Sequence, residues 1–208
     1  MKNKKKRRPF SWMNPSLEIR DTAKYGKGVY AKKDIKKEEM LFVIGGYILT
    51  IEDDNKLRGS LADKPIDLSD RFLIGPTKIS DLDLLPQHWM NHSCNPNAGF
   101  RGQIFVVAMK KIKKGEEITF DYAMVMYPDK SGKSNCYFRM KCECGSKNCR
   151  GYITEDDWEI PELQKKYDGY FQWFIQNEIE KNKKKKKKLS KNIDKSYQSK
   201  PAPWERKN

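Results

Sequence analysis

Three cysteines within eight residues, Cys142-Glu143-Cys144-Gly145-Ser146-Lys147-Asn148-Cys149, constrain this chain more than any other feature. The stretch around them is polar and rich in lysine. Structural cysteines that serve only packing sit in apolar surroundings, so a metal is the better reading. Tetrahedral structural zinc takes four thiolate or imidazole ligands. Three clustered cysteines therefore need a fourth ligand from elsewhere, and Cys94, Cys136, His88 and His92 are the candidates. The cysteine total of five is odd, which again favours metal over a disulfide framework.

Charge divides the chain. Overall it is +15, of which residues 1–8 carry +6 and residues 181–208 carry +10, leaving −1 for residues 9–180. The body is near neutral and the basicity lies in two tails. Blocks of like charge with few apolar residues do not order themselves, so both tails are expected to be disordered. Such tails also suit phosphate, and the run K-N-K-K-K-R-R-P reads as a nuclear address. No apolar run of 18 residues exists, so no membrane-spanning helix is expected. The basic start lacks the apolar stretch of a secretory signal.

Between the tails the pattern predicts a mainly β domain of short strands. Leu17–Thr22, Val29–Ala31, Met40–Ile51, Arg71–Ile74, Gln103–Met109 and Glu117–Phe120 read as strands. Tyr25-Gly26-Lys27-Gly28 reads as a tight turn, and Gly45-Gly46 as a bulge or a close backbone approach. Residues 52–70 are polar and irregular or partly helical. Thr154 and Asp157 resemble a helix cap, and Pro161 suits a first helical position. Leu163, Tyr167, Tyr170 and Phe174 then recur at helical spacing, which predicts one amphipathic helix over about 162–180.

Three further segments carry chemistry. Gly26-Lys27-Gly28 allows backbone N–H groups to approach an anion. Asn91-His92-Ser93-Cys94-Asn95-Pro96-Asn97 alone is a polar turn, and Gly115-Glu116-Glu117-Ile118-Thr119-Phe120-Asp121-Tyr122 alone is a glycine turn entering a strand. Together with C-x-C-x-x-x-x-C-R-G, in this order, they resemble the SET-domain family of protein lysine methyltransferases. The resemblance covers roughly residues 15–154, including the cysteine-rich extension called post-SET.

That resemblance implies a fold of small curved β-sheets with a knot-like C-terminal crossing, which brings Asn91–Cys94 beside Tyr122. It implies S-adenosylmethionine bound by Gly26, Lys27, Gly28, Tyr30, Asn91, His92, Tyr122 and Tyr152. It implies structural zinc held by Cys94, Cys142, Cys144 and Cys149, with Cys136 as the spare. Tyr122 takes the place of the catalytic tyrosine, which aligns a neutral lysine amine with the methyl group. Phe120 leaves that amine room to rotate, so di- and trimethyllysine are within reach. Members commonly have Arg where this chain has His88, and Y-x-G-E where it has Ile44-Gly45-Gly46-Tyr47, with Tyr47 a partial substitute in the channel wall.

The expected organisation is a basic arm (1–14), a SET domain (15–137), a post-SET zinc segment (138–154), a C-terminal amphipathic helix (155–182) and a basic disordered tail (183–208). The expected activity is methyl transfer to an exposed lysine of a protein, a histone tail above all, in the nucleus. DNA or nucleosome contact through the basic tails is the accompanying expectation, and no membrane partner is implied. The alternative is a SET fold with weak catalysis that serves as a chromatin or nucleic-acid binding module.

Overall fold

The computed structural model describes residues 10–22, 26–57, 59–61, 64–129 and 137–198. Its strands, in chain order, are β1 (Trp12–Met13), β2 (Leu17–Thr22), β3 (Gly26–Ala31), β4 (Met40–Val43), β5 (Tyr47–Thr50), β6 (Ile66–Asp67), β7 (Phe72–Gly75), β8 (Asn91–His92), β9 (Ala98–Arg101), β10 (Phe105–Ala108), β11 (Glu117–Phe120), β12 (Arg139–Lys141) and β13 (Tyr152–Thr154). The α-helices are α1 (Ile51–Asp54), α2 (Pro161–Lys166) and α3 (Trp173–Gln198). The fold is mainly β, in four small sheets ordered β1-β4-β10-β9, β2-β3-β11-β8, β5-β7-β6 and β12-β13.

One pairing positions the site. β8 runs parallel to β11, with Asn91 opposite Thr119 and His92 opposite Phe120. A parallel pair needs a long crossover, and here the β9–β10 hairpin supplies it. Asn97 holds the crossover shut: its amide donates to the Glu117 carbonyl at 2.7 Å, and its side-chain oxygen accepts from the Thr119 N–H at 3.0 Å. The sequence pattern of Asn91–Asn97 thus becomes a strand plus a side-chain clamp on β11, the strand that leads into Tyr122.

Several expectations change. Gly26–Gly28 is no turn, because it pairs with Arg20–Thr22 along β3; Tyr25 lies outside the described residues. The end of the expected N-terminal arm is ordered, with Trp12 and Met13 paired to Val43 and Phe42. Met40–Ile51 splits into β4 and β5. At the break, a Cβ on Gly45 would fall 1.8 Å from the Phe10 carbonyl oxygen, so the chain crosses itself there with no room for a side chain. Tyr47 follows that break, partly exposed and edge-on to Phe10 at 5.2 Å.

The single helix over 162–180 is two. Between α2 and α3 the backbone leaves helical geometry at Gly169 (φ +73°). The hydrogen bonds lost there are replaced by tertiary ones: Phe100 N–H to the Tyr170 carbonyl, Gln172 N–H to Met124, and Trp173 N–H to Gly102. Leu163, Tyr167, Phe171, Ile175 and Ile179 are buried together with the fully buried Trp158, so this segment is part of the main core. The lysine run from 183, expected to be disordered, continues α3 to Gln198. Lysine is a good helix former, and extension of an anchored helix avoids the cost of nucleation.

Candidate active site

The cysteines of the sequence cluster do come together. Cys142 Sγ lies 3.8 Å from Cys94 Sγ. The ligand atoms of Cys94, Cys142, Cys144 and His92 all fall within 4.8 Å of one another. Cys149 packs in the same cluster, its Sγ 3.5 Å from the Cys142 carbonyl oxygen. Cys136 lies outside the described residues. β12 and β13 form the small sheet beneath, and Ile153 seals the cluster on its inner side with no exposed surface.

His92 has a definite tautomer. Its Nδ1 accepts the Tyr122 backbone N–H at 3.2 Å, which puts the proton on Nε2, 3.3 Å from Cys94 Sγ. Burial holds the ring's pKa down to about 4 despite the attraction of Asp121, so the ring is neutral at neutral pH. Ligation through Nε2 would leave both ring nitrogens as acceptors. His92 is therefore an N–H donor toward the Cys94 sulfur. Burial pushes the Cys94 thiol up to about 11 and Cys142 higher still. At Cys144 hydrogen bonding, chiefly from Ser146, outweighs burial and lowers the thiol to about 6.

Beneath the cluster lies a buried ionic network. Arg150, next to the last cysteine, makes a fork on Asp121 at 2.6 and 2.7 Å and reaches Asp157 at 3.0 Å. Asp121 is fully buried and accepts the Tyr167 hydroxyl at 2.9 Å. Burial opposes both charges, yet the pairing wins: Asp121 stays below the usual carboxylate range and Arg150 above its ordinary value. Lys166 donates to the Cys94 carbonyl at 2.7 Å. Helix α2 thus braces the strand end and the cysteine loop together. Arg150 and Asp121 both stood in the motifs, but nothing in the sequence paired them; Tyr167 read only as one of an aromatic stripe.

Tyr122 and Met140 line two cavities. One, of about 180 Å³, is bounded further by Asn91, His92, Lys141, Cys142, Glu143 and Cys144. The other, of about 110 Å³, is bounded by Phe120, His88, Gln87, Met90, Phe138 and Lys64 among others. His92 stands edge-on to Tyr122 at 5.1 Å, and Phe120 is tilted against it at 5.1 Å. Asn91 ties the first cavity to β3, donating to the Lys27 carbonyl at 3.1 Å and to Glu117 at 2.7 Å. Gly26, Lys27, Gly28 and Tyr30 lie along β3 outside the lining of that cavity. Tyr152 is also outside it, half exposed under the Arg139 guanidinium at 4.3 Å. His88 faces the Phe120 side, not the Asn91 side.

A third cavity, of about 130 Å³, shares Pro65, Met126 and Phe138 with the second and is lined by Asp54, Asp67, Asp70, Asp129 and Glu155. Asp67 accepts the Tyr127 N–H at 3.0 Å. Burial, with repulsion from Asp54, Glu155 and Asp129, outweighs that bond and pushes its carboxyl up to about 8. An unfolded Asp loses its proton near pH 4, so the folded chain binds the extra proton between about pH 4 and 8 and loses stability as pH rises through that window. Asp67→Asn removes the dependence. The variant should melt above the native chain at pH 9, by about 2 kcal/mol or more, with the gap closing toward pH 5. An equal gap at both pH values would contradict this account.

Fold and site together define a mainly β domain whose parallel crossing seats one tyrosine between two cavities and against a cluster of thiols. Residues 26–123 match the family model described as SET domain. Among similar proteins, histone-lysine N-methyltransferase 2D of Homo sapiens is 29% identical over 62% of this chain and 2% of its own length. Histone-lysine N-methyltransferase ASHR3 of Arabidopsis thaliana is 30% identical over 70% of this chain and 29% of its own. The H3 lysine-9 specific enzyme dim-5 of Neurospora crassa is 28% identical over 57% of this chain and 36% of its own. The chain thus spans well under half the length of these relatives. The crystal structure of KRYPTONITE in complex with mCHG DNA and SAH is 22% identical, with a TM-score of 0.46, over 65% of this chain and 28% of that one.

Proposed function

We propose that this protein is an S-adenosylmethionine-dependent protein-lysine N-methyltransferase acting on histone tails or similar lysine-rich segments. The observation that carries this reading is Tyr122, which lines two cavities at once, so that a methyl donor in one meets an amine in the other. The relatives' names, histone-lysine N-methyltransferases, agree with it.

The cofactor fits the Asn91 cavity. Its lining combines the Asn91 amide, the Lys141 cation, the Glu143 carboxylate and two rings, His92 and Tyr122. That set suits a zwitterionic amino acid joined to a flat base, with Gly26, Lys27, Gly28 and Tyr30 along the adjoining strand and Tyr152 at the rim. S-adenosylmethionine would supply an activated methyl group on a sulfonium. The chain's part is placement. The Tyr122 hydroxyl orients the lysine amine, while Phe120, Met90, Val125 and Met140 keep the second cavity apolar. An apolar channel disfavours the ammonium form, so the amine arrives neutral without a strong base. Phe120 brings no hydroxyl to restrict it, so the product reaches di- or trimethyllysine. The adjoining cavity, with Asp54, Asp70, Asp129 and Glu155 around an Asp67 that keeps its proton at neutral pH, complements a basic segment on either side of the target lysine.

Four thiols in one cluster, Cys94 and Cys142 buried and Cys144 and Cys149 half-buried, fit zinc. We assign the ligands as Cys94, Cys142, Cys144 and Cys149, with His92 donating to Cys94 from outside the metal. The zinc-stapled segment would then be the post-SET extension. Chelation should release one zinc per chain, lower Tm by roughly 10 °C and abolish cofactor binding. Cys149→Ser should lose the metal, whereas His92→Gln should keep it. The reverse pattern would make His92 the ligand. Nuclear location follows from the same reading.

The test uses zinc-loaded protein with radiolabelled S-adenosylmethionine and histones, nucleosomes or a total cell extract. Label on lysine in a histone band, with di- and trimethyl products by mass, supports the proposal. Label only elsewhere keeps the chemistry and removes the histone. No label from protein that holds both zinc and cofactor overturns it.

A further inference from the structure

We propose that α3 binds the phosphate backbone of double-stranded nucleic acid, and that it holds the duplex beside the acid-lined cavity. The helix has a fixed root. Ile175 and Ile179 are buried in the main core, and the Phe174 ring meets Tyr127 edge-on at 4.8 Å. The Gln103 side-chain oxygen accepts the Phe174 N–H at 3.0 Å, and Gln172 donates to the Gln103 carbonyl at 2.8 Å. From Ile179 onward the helix carries Lys181 and then Lys183 to Lys188 without a break, all exposed, with no acid between Lys181 and Leu189. A segment this polar buries nothing by itself, so its helical length is not explained by packing.

Charge density says what it suits. An α-helix rises about 1.5 Å per residue, so six consecutive lysines place one positive charge per about 1.5 Å. Duplex DNA carries one negative charge per about 1.7 Å. The two rods are near matches of opposite sign. Six successive positions also circle the helix, so lysines reach both walls of a groove about 12 Å wide. Ammonium groups are point charges with no fork for a base edge, so binding is independent of sequence. Contact with phosphate would also relieve the repulsion among the lysines.

The root sets where the duplex lies. Tyr127 lines the acid cavity and its hydroxyl reaches Glu178 at 3.4 Å, one turn before the lysines begin. Lys181 feels the charge of Asp70, another residue of that cavity. The carboxylates repel phosphate and attract basic polypeptide. The surface therefore has two parts, one for a duplex and one for the basic protein bound to it. This second half rests on the proposed function; the binding itself does not.

The experiment uses the full chain and a short labelled duplex, followed by fluorescence anisotropy without S-adenosylmethionine. If four or five phosphates are neutralised, log K falls with log salt at a slope of about −4. Changing Lys183 to Lys188 together to Gln, itself a good helix former, should weaken binding about 100-fold at about 50 mM salt and flatten the slope to about −1, with helix content unchanged by circular dichroism. Unchanged affinity and slope in this variant would overturn the proposal, as would equal affinity of the native chain for phosphatidylserine vesicles. In a second arm, the variant should methylate a basic protein on DNA more slowly than the native chain while matching it on free peptide. Equal loss on both removes the positional half, and no transfer by either protein sinks the proposed function while the binding arm still stands.

Discussion

Tyr122→Phe is expected to lower methyl transfer by about 100-fold or more, with little change in Tm. The ring keeps its contacts with His92 and Phe120, and the Tyr122 backbone N–H still donates to His92. Only the hydroxyl is lost, from a ring that together with Met140 lines both the Asn91 cavity and the Phe120 cavity. Misplacement of a reacting atom by an ångström costs on the order of 100-fold in rate. Because the loss is in alignment, single-turnover transfer should fall while cofactor affinity stays within about threefold. Activity within about fivefold of the native chain would remove Tyr122 from the proposed mechanism.

Arg150→Ala is expected to be the most damaging single change to stability. It strips the fork from Asp121, a carboxylate with no exposed surface, and also removes the cation from Asp157, which keeps only the Thr154 hydroxyl among the side-chain partners described. Removal of one member of a buried pair costs about 3–5 kcal/mol, or roughly 6–20 °C of Tm in a chain of this size. The pH dependence has a defined sign. Asp121 is held below its unfolded pKa, so its pairing contributes fully above about pH 4 and is lost as pH falls through the folded value. The deficit of the variant should therefore be large at pH 7 and shrink in acid. Arg150→Ala joined to Asp121→Asn should recover part of the loss, because the fully buried Asp121 no longer carries a charge and Asp157 keeps the Thr154 hydroxyl. A Tm within about 2 °C of the native chain would show the network to be dispensable.

The sequence made the strands and the chemistry legible for the same reason, short-range pattern. Leu17–Thr22 and Glu117–Phe120 matched their strands because alternation and bounding glycine or charge are local signals. Asn91–His92 did not read as a strand. Two residues have no period, and their pairing to Thr119 and Phe120 is set by a crossover. The helix over 162–180 failed at Gly169 because the carbonyls that capture that turn belong to Met124 and Gly102, far away in the chain. Motif order alone brought the cysteines, Asn91, Phe120 and Tyr122 onto one candidate site, and the structure places them around the same two cavities and thiol cluster. Tyr152 lies outside the lining of the Asn91 cavity, its ring under the Arg139 guanidinium, a pairing that no motif signals. The Asp121–Arg150–Tyr167 network was invisible, as each link spans 29 residues or more.

Tyr167 reaches back to both Asp121 and the Cys94 carbonyl, and the residues around it fill the core. During synthesis the chain emerges from its N-terminus. A nascent polypeptide that has just released Thr154 already carries every signature residue, yet it lacks the brace that fixes them. The centre is completed only when the stretch through Ile179 has left the ribosome. Until then the thiols lack a settled frame, so under the proposed zinc assignment metal loading and the last step of folding would coincide.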